Sequence, residues 1–325
     1  MACVDTVRAR WYRVPAMRLV LCLLASLWVL PRDGEAAPPR KPEPLQNPIK
    51  VVATLPVLKD FVEQVGKERV EVKSLLTGLE SEHTYTPRPA DIMAIREAQM
   101  LVKVGLGLEV WTDSLIANAS NPYLLVLTTS RGVPLMKGSE NNKAREIPSH
   151  KDAAHLGDPH IWLDPENAKI MIRHITEGLI KLDPAHKSSY LKNQAAYFKV
   201  LDDLQKRLIA KVQALKNRKI ITHHAAWPYF ARRFGFVIRG NIITQVGTEP
   251  SAQRIANFIK LIKREKIRVI VSEPQLNPRL PQILSEETGA KVVVLTPMPG
   301  AIRGAESYLS MIKYNVETLI SALRE

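Results

Sequence analysis

From Ile49 onward, short apolar runs of strand length alternate with amphipathic helical patterns. Segments 49–55, 70–76, 100–104 and 123–127 read as strands, and 57–65, 87–98 and 110–118 as helices. After residue 216 the alternation resumes, with strands at 219–222, 269–272 and 291–295 and helices at 226–234, 250–263, 279–288 and 305–323. Such alternation predicts βαβ units and parallel sheets. One stretch breaks it. Asp164-Pro165 and Asp183-Pro184 are two helix-start signals, and the pattern after the second runs from 188 to 215. Tyr190, Leu191, Ala195, Phe198, Leu201, Leu204, Leu208, Ile209 and Val212 line one side of it. A helix of that length does not belong inside a compact βαβ unit, so it is read as a rigid spine joining two α/β lobes. The expected organisation is 49–186 for the first lobe, 187–215 for the linking helix and 216–325 for the second lobe.

The segment before Ile49 is of another kind. Arg8, Arg10, Arg13 and Arg18 precede an apolar run from Leu19 to Leu30, followed by the small residues Gly34, Ala36 and Ala37. The run is too short to span a bilayer, and the pattern is that of a cleaved secretory signal peptide over 1–36. An uncleaved anchor is the competing reading, and Met17 is an alternative start. Residues 37–48 are proline-rich and polar, as in an extended tether. Both cysteines, Cys3 and Cys22, fall in the leader, so the mature chain offers no disulfide, iron–sulfur cluster, thiolate zinc site or cysteine nucleophile. Leu21 before Cys22 argues against lipidation. The net charge of +14 comes from scattered basic residues, without an RNP, zinc-finger or helix-turn-helix pattern, so nucleic acid is not the expected partner. A basic surface of this kind favours adsorption to anionic membranes.

Histidines carry the chemistry. His83 lies in Glu82-His83-Thr84-Tyr85-Thr86-Pro87, a loop ahead of a helix start placed at Thr86-Pro87. Open α/β sheets put ligands at such an edge, although a surface histidine fits the segment equally well. His160 lies in Asp158-Pro159-His160-Ile161-Trp162-Leu163-Asp164-Pro165, where proline and tryptophan stiffen the loop. Asp158 or Asp164 could take the second ring N–H. His224 ends a strand in Thr222-His223-His224-Ala225-Ala226-Trp227-Pro228. Successive strand residues point to opposite faces, so only one of His223 and His224 is expected to reach the site, and His224 is chosen. Three neutral imidazoles from three separated loops suit a borderline-soft divalent cation such as Zn²⁺. HExxH, GxSxG and Walker motifs are absent; Gly105-Leu106-Gly107 is an isolated fragment. His150 and His155 fall in a polar, irregular stretch and read as exposed loop residues. His174 and His186 read as structural or solvated.

These motifs, with Ser272-Glu273-Pro274-Gln275 after a strand of the second lobe, make residues 49–325 resemble the periplasmic metal-binding receptors of ABC transporters, the zinc/manganese type. The resemblance implies a periplasmic monomer that captures a metal between two lobes and passes it to an inner-membrane permease with its ATPase. It places the ligand histidines on His83, His160 and His224. Many members carry an aspartate in the loop that here reads Leu295-Thr296-Pro297-Met298-Pro299-Gly300. Without it, Glu82 is the first candidate for the fourth ligand, water the second and Glu273 the third. Three histidines favour Zn²⁺ over Mn²⁺. The alternatives are a manganese or iron(II) receptor, a secreted zinc hydrolase with Glu82 or Glu273 as base, and an adhesin role on the same receptor.

Overall fold

Continuous apolar runs become the buried central strands of two sheets, flanked by half-exposed edge strands. The computed structural model describes residues 47–136, 157–243 and 246–324. The segment expected to be a leader, most of the expected tether and the stretch holding His150 and His155 lie outside them. Strands β1 (Ile49–Ala53), β2 (Val70–Ser74), β3 (Met100–Lys103) and β4 (Leu125–Thr128) form one sheet in the order β2-β1-β3-β4. Strands β5 (Lys219–Thr222), β6 (Val237–Asn241), β7 (Val269–Ser272) and β8 (Lys291–Val294) form the other, in the order β6-β5-β7-β8. Every pairing is parallel. Each sheet therefore reverses its strand order once, between β1 and β3 and between β5 and β7. Crevices for ligands form at such points, beyond the carboxyl ends of the strands.

The helices are α1 (Pro56–Gly66), α2 (Pro89–Glu97), α3 (Thr112–Ala119), α4 (Pro165–Leu182), α5 (Lys187–Gln213), α6 (Pro228–Phe234), α7 (Ala252–Glu265), α8 (Arg279–Thr288) and α9 (Tyr308–Arg324). Val57, Leu58, Phe61, Val62 and Val65 are the buried stripe of α1, spaced as one helical face requires. The spine expected from the sequence is α5, whose buried face is Tyr190, Tyr197, Leu201, Leu204, Leu208 and Val212. Leu191, placed on that face by pattern, is exposed, and Tyr197 takes part instead. Helix α5 packs on α1 and α4 from the first half and on α6 and α9 from the second. One apolar core accordingly runs from β1 and α1 through α5 to α9. A second cluster, around Ile221, Phe258, Ile262 and Ile270, covers the other face of the second sheet.

Several boundaries shift by one or two residues from the sequence reading, and one strand and two helix starts differ in ways that matter here. Strand β6 was not anticipated: Arg239-Gly240-Asn241 hides it, and it sits at a sheet edge. The first helix after His83 starts at Pro89 rather than at Thr86-Pro87. Residues before proline are driven to extended backbone, and Arg88 is extended (φ −108°, ψ 156°). The cap is closed by Asp91, whose carboxylate accepts from the Arg88 N–H and from the Tyr85 hydroxyl, both at 2.8 Å. The last helix begins at Tyr308, later than its apolar pattern.

Candidate metal centre

Among the described residues, Glu82, His83, His160 and His224 can each offer one ligand atom within 4.8 Å of the others. They come from three separate loops, as the sequence spacing requires. His160 stands just before a short 3₁₀ turn at Ile161–Leu163 that leads into α4. Asp158 Oδ1 accepts from the His160 backbone N–H at 2.9 Å and from its ring Nδ1 at 2.8 Å. That bond leaves Nε2 to face the cleft. His224 follows β5, and its Nδ1 donates to Glu273 Oε1 at 2.8 Å. Glu273 lies just past β7 and also accepts from Trp227 Nε1 at 3.0 Å. Two of the histidines thus have a carboxylate behind the ring, which fixes the tautomer and raises the basicity of the exposed nitrogen.

His83 Nε2 lies 3.2 Å from His160 Nε2. Glu82 Oε1 is 3.5 Å from His160 Nε2 and 3.9 Å from His83 Nε2. Ligand atoms around a tetrahedral zinc, with bonds of about 2.0–2.1 Å, stand about 3.3 Å apart. Glu82 Oε1 and His224 Nε2 are both buried without a hydrogen-bond partner. Buried lone pairs left unpaired are costly, and one cation between these four atoms would satisfy them all.

Charge and burial compete here. Burial would raise the Glu82 pKa, but His160, His83 and His224 around it hold it down at about 2. Burial would lower that of His160, but Asp158 and Glu82 push it up to about 10. The site is therefore arranged to keep a positive charge beside a carboxylate.

The loop bearing Glu82 and His83 is held by contacts that no local pattern announces. Trp111 Nε1 donates to the Glu82 carbonyl at 3.2 Å, and Tyr85 packs edge-on against Trp111. Asp164, the other carboxylate considered for His160, caps α4 instead and pairs with Arg233. His223 stays out of the cluster; it is buried, and burial lowers its pKa. His174 Nδ1 bonds the Thr129 carbonyl and His186 pairs with Asp183. Glu273 stands behind His224, not among the four ligand candidates. In the first sheet the corresponding crevice is filled by buried Glu109, which accepts from Thr54 Oγ1 and from the Val104 and Gly105 N–H groups.

A family model described as ZnuA, zinc-uptake complex component A, periplasmic, matches residues 51–322. The chain belongs to the ZnuA family. The high-affinity zinc uptake system protein ZnuA of Bacillus subtilis is 28% identical over 279 residues, covering 85% of this chain and 88% of that protein. A crystal structure of ZnuA superposes with a TM-score of 0.74 at 29% identity, covering 85% of this chain and 99% of that one. The laminin-binding protein Lmb of Streptococcus agalactiae, described as having adhesin and metal-transporting activity, superposes with a TM-score of 0.73. It is 26% identical, covering 85% of this chain and 99% of that one. The two-lobed fold with its long helix, expected from the sequence, is that of the ZnuA family.

Proposed function

We propose that this chain captures Zn²⁺ in the periplasm with His83, His160, His224 and Glu82 as ligands, and delivers it to an ABC permease and its ATPase. The observation that carries this reading is the convergence of the four ligand atoms, two of them buried and unpaired, from three separate loops. A set of three nitrogens and one oxygen suits zinc better than manganese, which prefers more oxygen. Names among the relatives point the same way. The domain plan belongs to the proposal: lobes at 49–186 and 216–325, joined by 187–215, after a cleaved leader at 1–36. No helix among the described residues is long and apolar enough to cross a membrane.

A cargo site is favoured over a hydrolytic one. Catalytic zinc keeps a coordination position open, whereas four protein ligands would complete a tetrahedron here, and Glu82, His160 and His224 are all buried. The test is metal content and competition on the metal-stripped protein, Zn²⁺ against Mn²⁺, for wild type and Glu82→Ala. One Zn²⁺ per chain, resistant to Mn²⁺ and held more weakly by Glu82→Ala, is expected. Preferential retention of Mn²⁺ would overturn the metal assignment.

A further inference from the structure

The four ligand candidates are not held alike. His160 is fastened to the second half of the molecule by several bonds. Trp162 Nε1 donates to the Pro297 carbonyl at 2.7 Å, and Tyr308 OH to the Trp162 carbonyl at 2.7 Å. Tyr229 OH donates to the Asp158 carbonyl at 3.2 Å, and Asp164 binds Arg233. His224 belongs to that second half. Glu82 and His83 reach the same point from a loop whose seat on the second half is much smaller.

That seat is the turn at 77–80. Thr77 closes it by donating N–H and Oγ1 to Glu80 Oε2 at 2.8 and 2.7 Å. Gln275 Nε2, two residues beyond Glu273, donates across to the Gly78 carbonyl. Backbone meets backbone on either side of this bond. Gly78 has φ +103°, and a Cβ added there would stand 2.6 Å from the Pro299 oxygen. Gly300 has φ +91°, and its Cβ would stand 3.1 Å from the Thr77 oxygen. Only glycine tolerates such angles freely, and only a missing Cβ permits so close an approach.

We infer that the Gly78 turn is a latch: seated on Gln275 and Pro299–Ala301, it positions Glu82 and His83 against a pre-assembled His160–His224 pair and so sets how long the metal stays. Gly78, Gly300 and Gln275 touch no ligand atom; they are positioning residues. With the turn lifted, Glu82 and His83 leave together and the two remaining imidazoles hold the ion weakly. This rests on the ligand assignment proposed above.

The test is the rate of Zn²⁺ loss from the loaded full-length protein into excess competing chelator, followed by stopped flow, with association rates and metal-free melting temperatures measured alongside. Gln275→Ala removes one hydrogen bond and is expected to speed release about three- to tenfold. Gly78→Ala, which adds a clash and a strained angle, should exceed it. Association rates at or above wild type are expected for both, with unchanged metal-free melting for Gln275→Ala and, for Gly78→Ala, a metal-free loss smaller than the loss in the loaded protein. Release at the wild-type rate in both variants would overturn the latch. So would metal-free melting that drops as far as loaded melting, since the residues would then be merely structural. Glu82→Ala and His83→Ala separate the two ideas: if both bind zinc as tightly as wild type, the ligand assignment itself fails.

Discussion

The bond from His160 Nδ1 to Asp158 decides which ring nitrogen faces the cleft, and it is where a single substitution should be most informative. Asp158→Ala is expected to weaken zinc binding about 10–100-fold while leaving the fold intact, as read by chelator competition and circular dichroism. His160→Ala should weaken it further still. The titration behaviour has a definite sign. Asp158 and Glu82 raise the His160 pKa to about 10 from its ordinary 6.5, so the metal-free ring carries a proton at neutral pH that Zn²⁺ bound at Nε2 would have to displace. Binding should release at least one proton, measurable by calorimetry in two buffers of different ionisation enthalpy, and affinity should fall on acidification. In the metal-free protein the His160 contribution to stability is full below pH 6.5 and lost as pH rises through about 10. The Glu82 contribution is full above its ordinary 4.5 and lost as pH falls toward about 2, following the rule that stability tracks the difference in bound protons. At this scale the sequence announces His160, in a loop stiffened by proline and tryptophan, and His224, at a strand end; His83 sits in a loop that suits a surface histidine equally well and is singled out by the family resemblance. The sequence does not announce Trp111, Gln275 or the role of Glu273. Their partners lie far away in sequence, and contacts across space leave no local pattern.

Among the elements, the start of α4 joins the two sides of the centre. Asp164 accepts from the Glu166 N–H at 2.9 Å as a cap and from Arg233 at 2.6 and 3.1 Å. It lies four residues after His160, and Arg233 lies in the helix after His224. Asp164→Ala should cost roughly 1–2 kcal/mol from the lost cap alone, measurable by urea unfolding. It should also loosen zinc, because both histidine loops lose a common anchor. The Asp-Pro signal made this boundary readable in advance. The start of α2 falls later than the sequence pattern suggests because two X-Pro steps follow one another there and only Asp91, at the third helical position, closes the cap. Strand β6 was invisible because an edge strand can carry Arg239, Gly240 and Asn241 with little apolar pattern.

At the scale of the whole molecule, α5 binds helices of both halves into one core, and Asp60 of α1 accepts from the Tyr308 N–H of α9 at 3.0 Å. Wide hinge motion would have to break that core. The radius of gyration by solution scattering is therefore expected to be the same for metal-free and loaded protein; a clear contraction on loading would show that the halves move as separate bodies. Alternating strand and helix patterns predicted the two-sheet plan, but not that the halves share apolar packing, because which faces meet is settled only by the assembled chain. An unbroken core also limits what the molecule can tell a neighbour. Full and empty copies would have the same outline, and news of the cargo would be written only in the texture of the surface around the Gly78 turn. A protein that accepts full copies and ignores empty ones has to read that small area by touch.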